Sequence, residues 1–129
     1  MYDIISPMME DTMSIKYVNN LGKVTIDDSV LSNIVAVTVM QSYGVVGLAS
    51  QSAKDDIYQL LKLENMSKGV EIHRRDDGTL TINISIFILY GVRISVVAQN
   101  IIDNVKYTVE KSLNVRVSDV NILVQGIGQ

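Results

Sequence analysis

The chain has 129 residues, 47% of them apolar and 19% charged, with a net charge of −3, one histidine and no cysteine. That length supports one domain with a single core, and the missing cysteine excludes disulfides, thiolate catalysis and cysteine-ligated zinc. Asp3, Glu10 and Asp11, with no basic residue among positions 1–12, account for the whole net charge, so residues 13–129 are neutral and set up no field to draw in nucleic acid or anionic lipid.

Residues 1–12 read as a flexible extension in front of a domain spanning 13–129. They hold the only proline, Pro7, and lack the basic start of a secretory signal. Met13-Ser14-Ile15 is an alternative start. Lys23 to Ile26 is a short strand. Asp27 or Asp28 then stands where a helix N-cap belongs. Val30, Ile34, Val37 and Gln41 follow at helical spacing, flanked by Leu31 and Val35, and Gly44 suits the left-handed position after the helix. Val45 to Ala49 is a strand. Lys54 to Leu63 is a short amphipathic helix through Ile57, Leu60 and Leu61. Asn65 to Gly69 is a turn, and Val70 to Arg75 is a strand.

Thr79 to Tyr90 is the strongest structural signal in the chain. Leu80, Ile82, Ile84, Ile86 and Ile88 alternate with Thr81, Asn83 and Ser85, which marks a strand with one buried face. Phe87 and Leu89 make the second face apolar as well, so its far end needs cover on both sides. This predicts the central strand of the sheet. The hairpin register follows from burial. A two-residue Asp77-Gly78 turn would set Ile72 opposite Asn83. A three-residue loop sets Ile72 opposite Ile82 and Val70 opposite Ile84, and keeps both strands apolar on one face. It requires a type I turn with Gly78 left-handed and a bulge behind it.

Ser95 is the expected N-cap of a last helix. Its buried stripe is Ala98, Ile101, Ile102, Val105, Val109 and Leu113, and Asp119 to Val124 closes the fold as a strand. The fold class is α+β: a single domain with an approximately five-stranded mixed or antiparallel sheet and two to three helices packed on it. The order is β-α-β-α-β-β-α-β.

The residues that could carry chemistry all have local roles. His73 falls on the polar face of its strand, opposite Thr81, with no serine or acid set to partner it. The pairs Asp27-Asp28, Asp55-Asp56 and Asp76-Asp77 fit a helix cap, a helix first turn and a hairpin loop. Arg74 and Arg75 are balanced by Asp76 and Asp77, which speaks against nucleic acid. No phosphate loop, dinucleotide fingerprint or calcium loop occurs. The reading is therefore a non-enzyme with no catalytic residue, cofactor or metal. One feature is harder to place. The run from Ser29 to Ala53 carries no charge at all. Either its helix is buried in the middle of the domain, or its outer face is covered by another copy or by a protein partner. In the second case Ser32, Asn33, Ala36 and Ser42 are the expected outward positions, and the domain is expected to form a homo-oligomer or bind a protein.

The pieces Gly22-Lys-Val-Thr-Ile, Tyr43-Gly-Val-Val-Gly, Gly69-Val-Glu-Ile, Tyr90-Gly-Val-Arg-Ile, Asn104-Val-Lys-Tyr-Thr-Val-Glu and Val120-Asn-Ile-Leu-Val-Gln-Gly-Ile occur in that order. This set resembles the alkaline shock protein family, small envelope stress response proteins of Gram-positive bacteria. The version here resembles the short single-domain type often encoded beside a dihydroxyacetone-kinase-like or fatty-acid-kinase-like protein. The resemblance implies a cytoplasmic, non-enzymatic scaffold or interaction module. It also implies membrane association only through an anchored partner, without insertion. It supplies no catalytic or ligand residue. The alternative is a small-molecule or lipid-binding accessory of the adjacent kinase-like system. The segment Gln51 to Ser67 is insertion-like against common members of the family.

Overall fold

The structure is a computed structural model that describes residues 3–5, 14–49 and 68–128. Its elements in chain order are β1 (Asp3–Ile5), β2 (Ser14–Asn19), β3 (Gly22–Asp27), α1 (Asp28–Met40), β4 (Val45–Leu48), β5 (Val70–Arg74), β6 (Leu80–Leu89), α2 (Ile94–Leu113) and β7 (Val117–Gly128). The fold is α+β, as expected. Among the described residues there are two helices; the helix expected over Lys54 to Leu63 lies outside them.

β6 is the central strand of a four-stranded mixed sheet. β7 runs parallel to it over the whole length from Leu80 to Leu89. The opposite edge of β6 is shared end to end by two antiparallel strands: β5 pairs with Leu80 to Ile84, and β4 with Ile86 to Ile88. Ala49 continues β4, donating its N–H to the Ser85 carbonyl at 2.8 Å, and Val70 starts β5 opposite Ile84. β4 and β5 are thus successive stretches of one long partner strand, divided by the chain between Ala49 and Val70.

The hairpin register is the expected one. Val70 faces Ile84 and Ile72 faces Ile82. The Arg75 N–H donates to the Thr79 carbonyl at 2.9 Å, the Gly78 N–H to the Arg75 carbonyl at 3.0 Å, and Gly78 sits at φ +87°. The three-residue loop closes because Gly78 tolerates that left-handed conformation. Asp77 reinforces it: its carboxylate accepts the Thr79 N–H at 3.0 Å and the Thr79 hydroxyl at 2.6 Å.

The first expected strand does not join this sheet. β3 pairs with β2 in a separate three-stranded antiparallel sheet, order β1-β2-β3. Asn19 faces Gly22 across a two-residue turn, so a local hairpin takes up β3 before the main sheet can. β1, within the N-terminal stretch, pairs Asp3 with Val18. β2 is a strand that the sequence reading does not anticipate, although Ile15 and Tyr17 alternate with Ser14 and Lys16.

One face of β6 is core. Leu80, Ile82, Ile84, Ile86 and Ile88 are fully buried under α1 and α2, with Leu31, Val35, Val39, Ile101, Val105 and Val109. The stripe expected on α2 holds, with Val97 added; Ala98 and Ile102 lie at its half-buried margins. α2 starts one residue before the expected cap: Arg93, and not Ser95, is the N-cap residue, and its side chain makes no capping bond. The far face of β6 is covered only in part. Ser85 is buried and the Phe87 ring lies against Gly126, but Leu89 is exposed.

Candidate interaction surfaces

α1 begins at the expected place, with Asp27 as N-cap residue, but the Asp27 carboxylate accepts the Ser29 hydroxyl at 3.1 Å and makes no capping bond. Asp28 sits in the first turn, where the helix dipole favours an anion. It also faces the Arg74 guanidinium of β5 at 3.7 Å, with both side chains mostly buried. Burial raises the Asp28 pKa above its usual value; the Arg74 charge opposes this and does not cancel it. The ion pair ties the helix start to the hairpin.

The rotation of α1 about its axis differs from the expected one. Leu31, Val35, Ala36 and Val39 form the buried face. Val30 and Val37, expected on the buried stripe, are 45% and 47% exposed, and Gln41 is exposed beside them. Of the four expected outward positions, Asn33 is exposed and Ser32 half-buried. Ala36, at 1%, is core, and Ser42, at 9%, turns inward, its hydroxyl donating to the Thr38 carbonyl at 3.1 Å. Apolar and small residues surround α1 on all sides, so two faces fit the periodicity equally well and three-dimensional packing selects one. The helix is thus neither wholly core nor charged outside. Its solvent side runs Ser29, Val30, Asn33, Val37 and Gln41.

A second surface lies at the end of the sheet where α1 finishes and α2 begins. α1 ends at Met40 with Gln41 as C-cap, so Gly44 is not the helix-terminating glycine expected of it. Instead, at φ +88°, it forms the turn into β4. A Cβ on Gly44 would stand 2.7 Å from Cγ2 of Val97, which leaves no room for a side chain. The Leu89 N–H donates to the Gly44 carbonyl at 2.8 Å, and the Tyr90 N–H to the Gly128 carbonyl at 2.9 Å. Two Tyr-Gly turns are thereby held together, with Tyr43 76% and Tyr90 77% exposed and Ile94 and Ile127 exposed near them. The repeated Tyr-Gly in the sequence was the available signal for this pole.

The third surface is the polar face of the hairpin and β7. Arg75 Nη1 donates to Asp119 Oδ1 at 3.3 Å and reaches Ser118 and Thr81 at 3.4 and 3.5 Å. Asn121 Nδ2 donates to Asn83 Oδ1 at 2.8 Å. The Ser118 hydroxyl bond, then the Arg75 charge, hold Asp119 below the usual aspartate range. These groups satisfy one another across adjacent strands, which is how a solvated sheet face is stabilised. His73 is exposed on this face opposite Thr81. An open depression at the hairpin tip is lined by Arg75, Asp76 and Asp77.

The pattern of the alkaline shock protein family, described by its cell envelope-related function, matches residues 16–129. The chain belongs to the alkaline shock protein family. It is 36% identical over 116 residues to YloU, an uncharacterized protein of Bacillus subtilis, an alignment covering 89% of this chain and 96% of YloU. It is equally similar, at 36% over 116 residues, to Spy1614, an uncharacterized protein of Streptococcus pyogenes, covering 89% of this chain and 95% of Spy1614. A further relative, YqhY of B. subtilis, is 29% identical over 108 residues, covering 84% of this chain and 78% of YqhY. No solved structure matches the fold significantly. All the described elements except β1 and the first residues of β2 fall within the family match. Among the described residues of this alkaline shock family chain, no helix is long and apolar enough to cross a membrane.

Proposed function

We propose that this alkaline shock family domain is a non-enzymatic interaction module of the cell envelope response. It acts by self-association and by holding a protein partner, and it reaches the membrane only through a partner anchored there. The observation that carries this reading is the outer side of α1. Ser29, Val30, Asn33, Val37 and Gln41 are all exposed, and none is charged. A solvated helix face is ordinarily charged, whereas the centre of a protein interface is depleted of charge. The alternative, a small-molecule or lipid accessory of a kinase-like system, calls for an enclosed apolar cavity of a few hundred Å³, on the usual scale of such sites. Among the described residues, the depression at the hairpin tip is open and lined by charge.

A photo-crosslinking residue placed at Asn33 in the native cell tests the reading. Discrete protein adducts are expected from Asn33, and Val37→Lys in the same chain should abolish them while leaving the melting transition in place. Adducts no different from those formed at Lys106, on the exposed side of α2, would show that α1 meets nothing specific.

A further inference from the structure

The two edges of the main sheet are unlike. On one side β5 is five residues long and carries Glu71, His73 and Arg74, and β4 adds only four more residues. Short, charged edge strands resist pairing with another chain. On the other side β7 runs twelve residues, and its only charged residue is Asp119. From Val120 to Gly128 there is no charge, no proline and no lysine, and Leu123 and Ile127 are exposed at 54% and 58%. Among the described residues β7 pairs only with β6, so its outer row of N–H and C=O groups faces no strand. Asp119 is spent locally on Arg75 and Ser118. The ladder bulges between Val124 and Gly126, leaving Gln125 out of the pairing with β6.

We infer that two copies of this chain pair through β7, antiparallel, to form one continuous eight-stranded sheet. The inference rests on the association reading above and names the surface responsible for the homo-oligomer, leaving α1 for the protein partner. Self-pairing fits the strand's own charge pattern. An isologous contact sets the same strand against itself in reverse. Centred on Leu123, it puts Asn121 opposite the second copy's Gln125 and Asp119 opposite the second copy's Ile127. The two Asp119 carboxylates stay apart, so no like charges meet directly, an arrangement that would destabilise a strand pair. The neutral body of the domain, residues 13–129, offers no net repulsion to a second copy.

Sedimentation velocity and hydrogen exchange on the full chain test this together. The parent should sediment at twice the chain mass at high concentration and dissociate on dilution. Amides in Val120 to Gly128 should exchange at least tenfold more slowly in the concentrated sample. Leu123→Lys, at an exposed position, should sediment as monomer with the parent's melting transition, and it should lose the concentration dependence of β7 exchange. A parent that stays monomeric at every concentration overturns the inference and the self-association reading with it. A parent dimer whose β7 amides ignore concentration, and which survives Leu123→Lys, overturns the β7 pairing alone and leaves association standing on another surface. A monomeric parent whose β7 amides slow only in native cell extract assigns the edge to a different protein, which also overturns the pairing of copies.

Discussion

The Asp28–Arg74 pair is where single residues matter most. Burial raises the Asp28 pKa in the folded protein, so the folded state binds a proton there more readily than the unfolded one. Stability then falls as pH rises from the usual aspartate value through the folded one, and the resulting penalty stands at neutral pH. The Arg74 charge limits that penalty. Arg74→Met should therefore raise the Asp28 pKa further and cost about 1–3 kcal/mol at neutral pH. The gap between parent and variant should close as pH drops below the ordinary aspartate range, where Asp28 is neutral in both states. Urea unfolding at about pH 7 and about pH 3, with NMR titration of Asp28, checks both points. A gap that stays constant across that range would mean that Arg74 acts through packing alone. Asp77 runs the other way. The Thr79 hydroxyl and N–H lower its pKa, so what it adds to the hairpin is present above the usual aspartate value and is lost as pH falls through the folded one.

Elements differ in how much of their placement the sequence reveals. The hairpin was legible to the residue, because burying Ile72 and Ile82 on one face leaves a single register. Gly78 meets nothing within 4 Å of where its Cβ would stand, so a substitution there is resisted by backbone conformation alone. Gly78→Val should cost on the order of 1 kcal/mol or more, and Gly78→Asn clearly less, because asparagine tolerates the left-handed region. Equal costs would point to a steric origin instead. α1 was legible as a helix but not in its rotation. Val30 and Val37 fit a buried stripe as well as Leu31 and Val35 do, and only the approach of β6 and α2 separates them. Ala36→Glu should accordingly place an unpaired charge in the core and lower stability by about 3 kcal/mol or more. Val37→Glu, one position on, should change it by less than about 1 kcal/mol. Thermal melts of the two variants side by side decide the rotation, and the reverse order would restore the stripe read from periodicity. β2 and β3 went astray for a different reason. Their pairing is local, so nothing in β3 alone says which sheet it joins. The candidate surfaces were least legible, because the pole of Tyr43 and Tyr90 and the outer edge of β7 exist only once distant turns and strands are brought together.

At the scale of the whole molecule, the arrangement of β4 and β5 is the most consequential feature. Ala49 faces Ser85 and Val70 faces Ile84, successive positions on β6. Their side chains fall on opposite faces, as neighbours in one strand must. Residues 50–69 thus leave and rejoin a single strand at adjoining points, and the four-stranded sheet does not need them for its register. Deleting them and joining Ala49 directly to Val70 should give one unbroken strand along β6 and a domain that still unfolds cooperatively. Shortening the connection removes a loop-closure cost on the order of 2 kcal/mol. With that gain, the melting temperature should stay within about 10 °C of the parent's. Circular dichroism melts and hydrogen exchange on β6 would read the outcome, and loss of the cooperative transition would make the segment an integral part of the core. The deletion also sorts the functional surfaces. The outer side of α1 and the outer edge of β7 contain no residue from 50–69. Association that persists in the deleted chain therefore needs no residue of that segment and rests on surfaces such as these. Association that vanishes while the fold remains belongs to the inserted segment, and the uncharged face of α1 would then need another explanation.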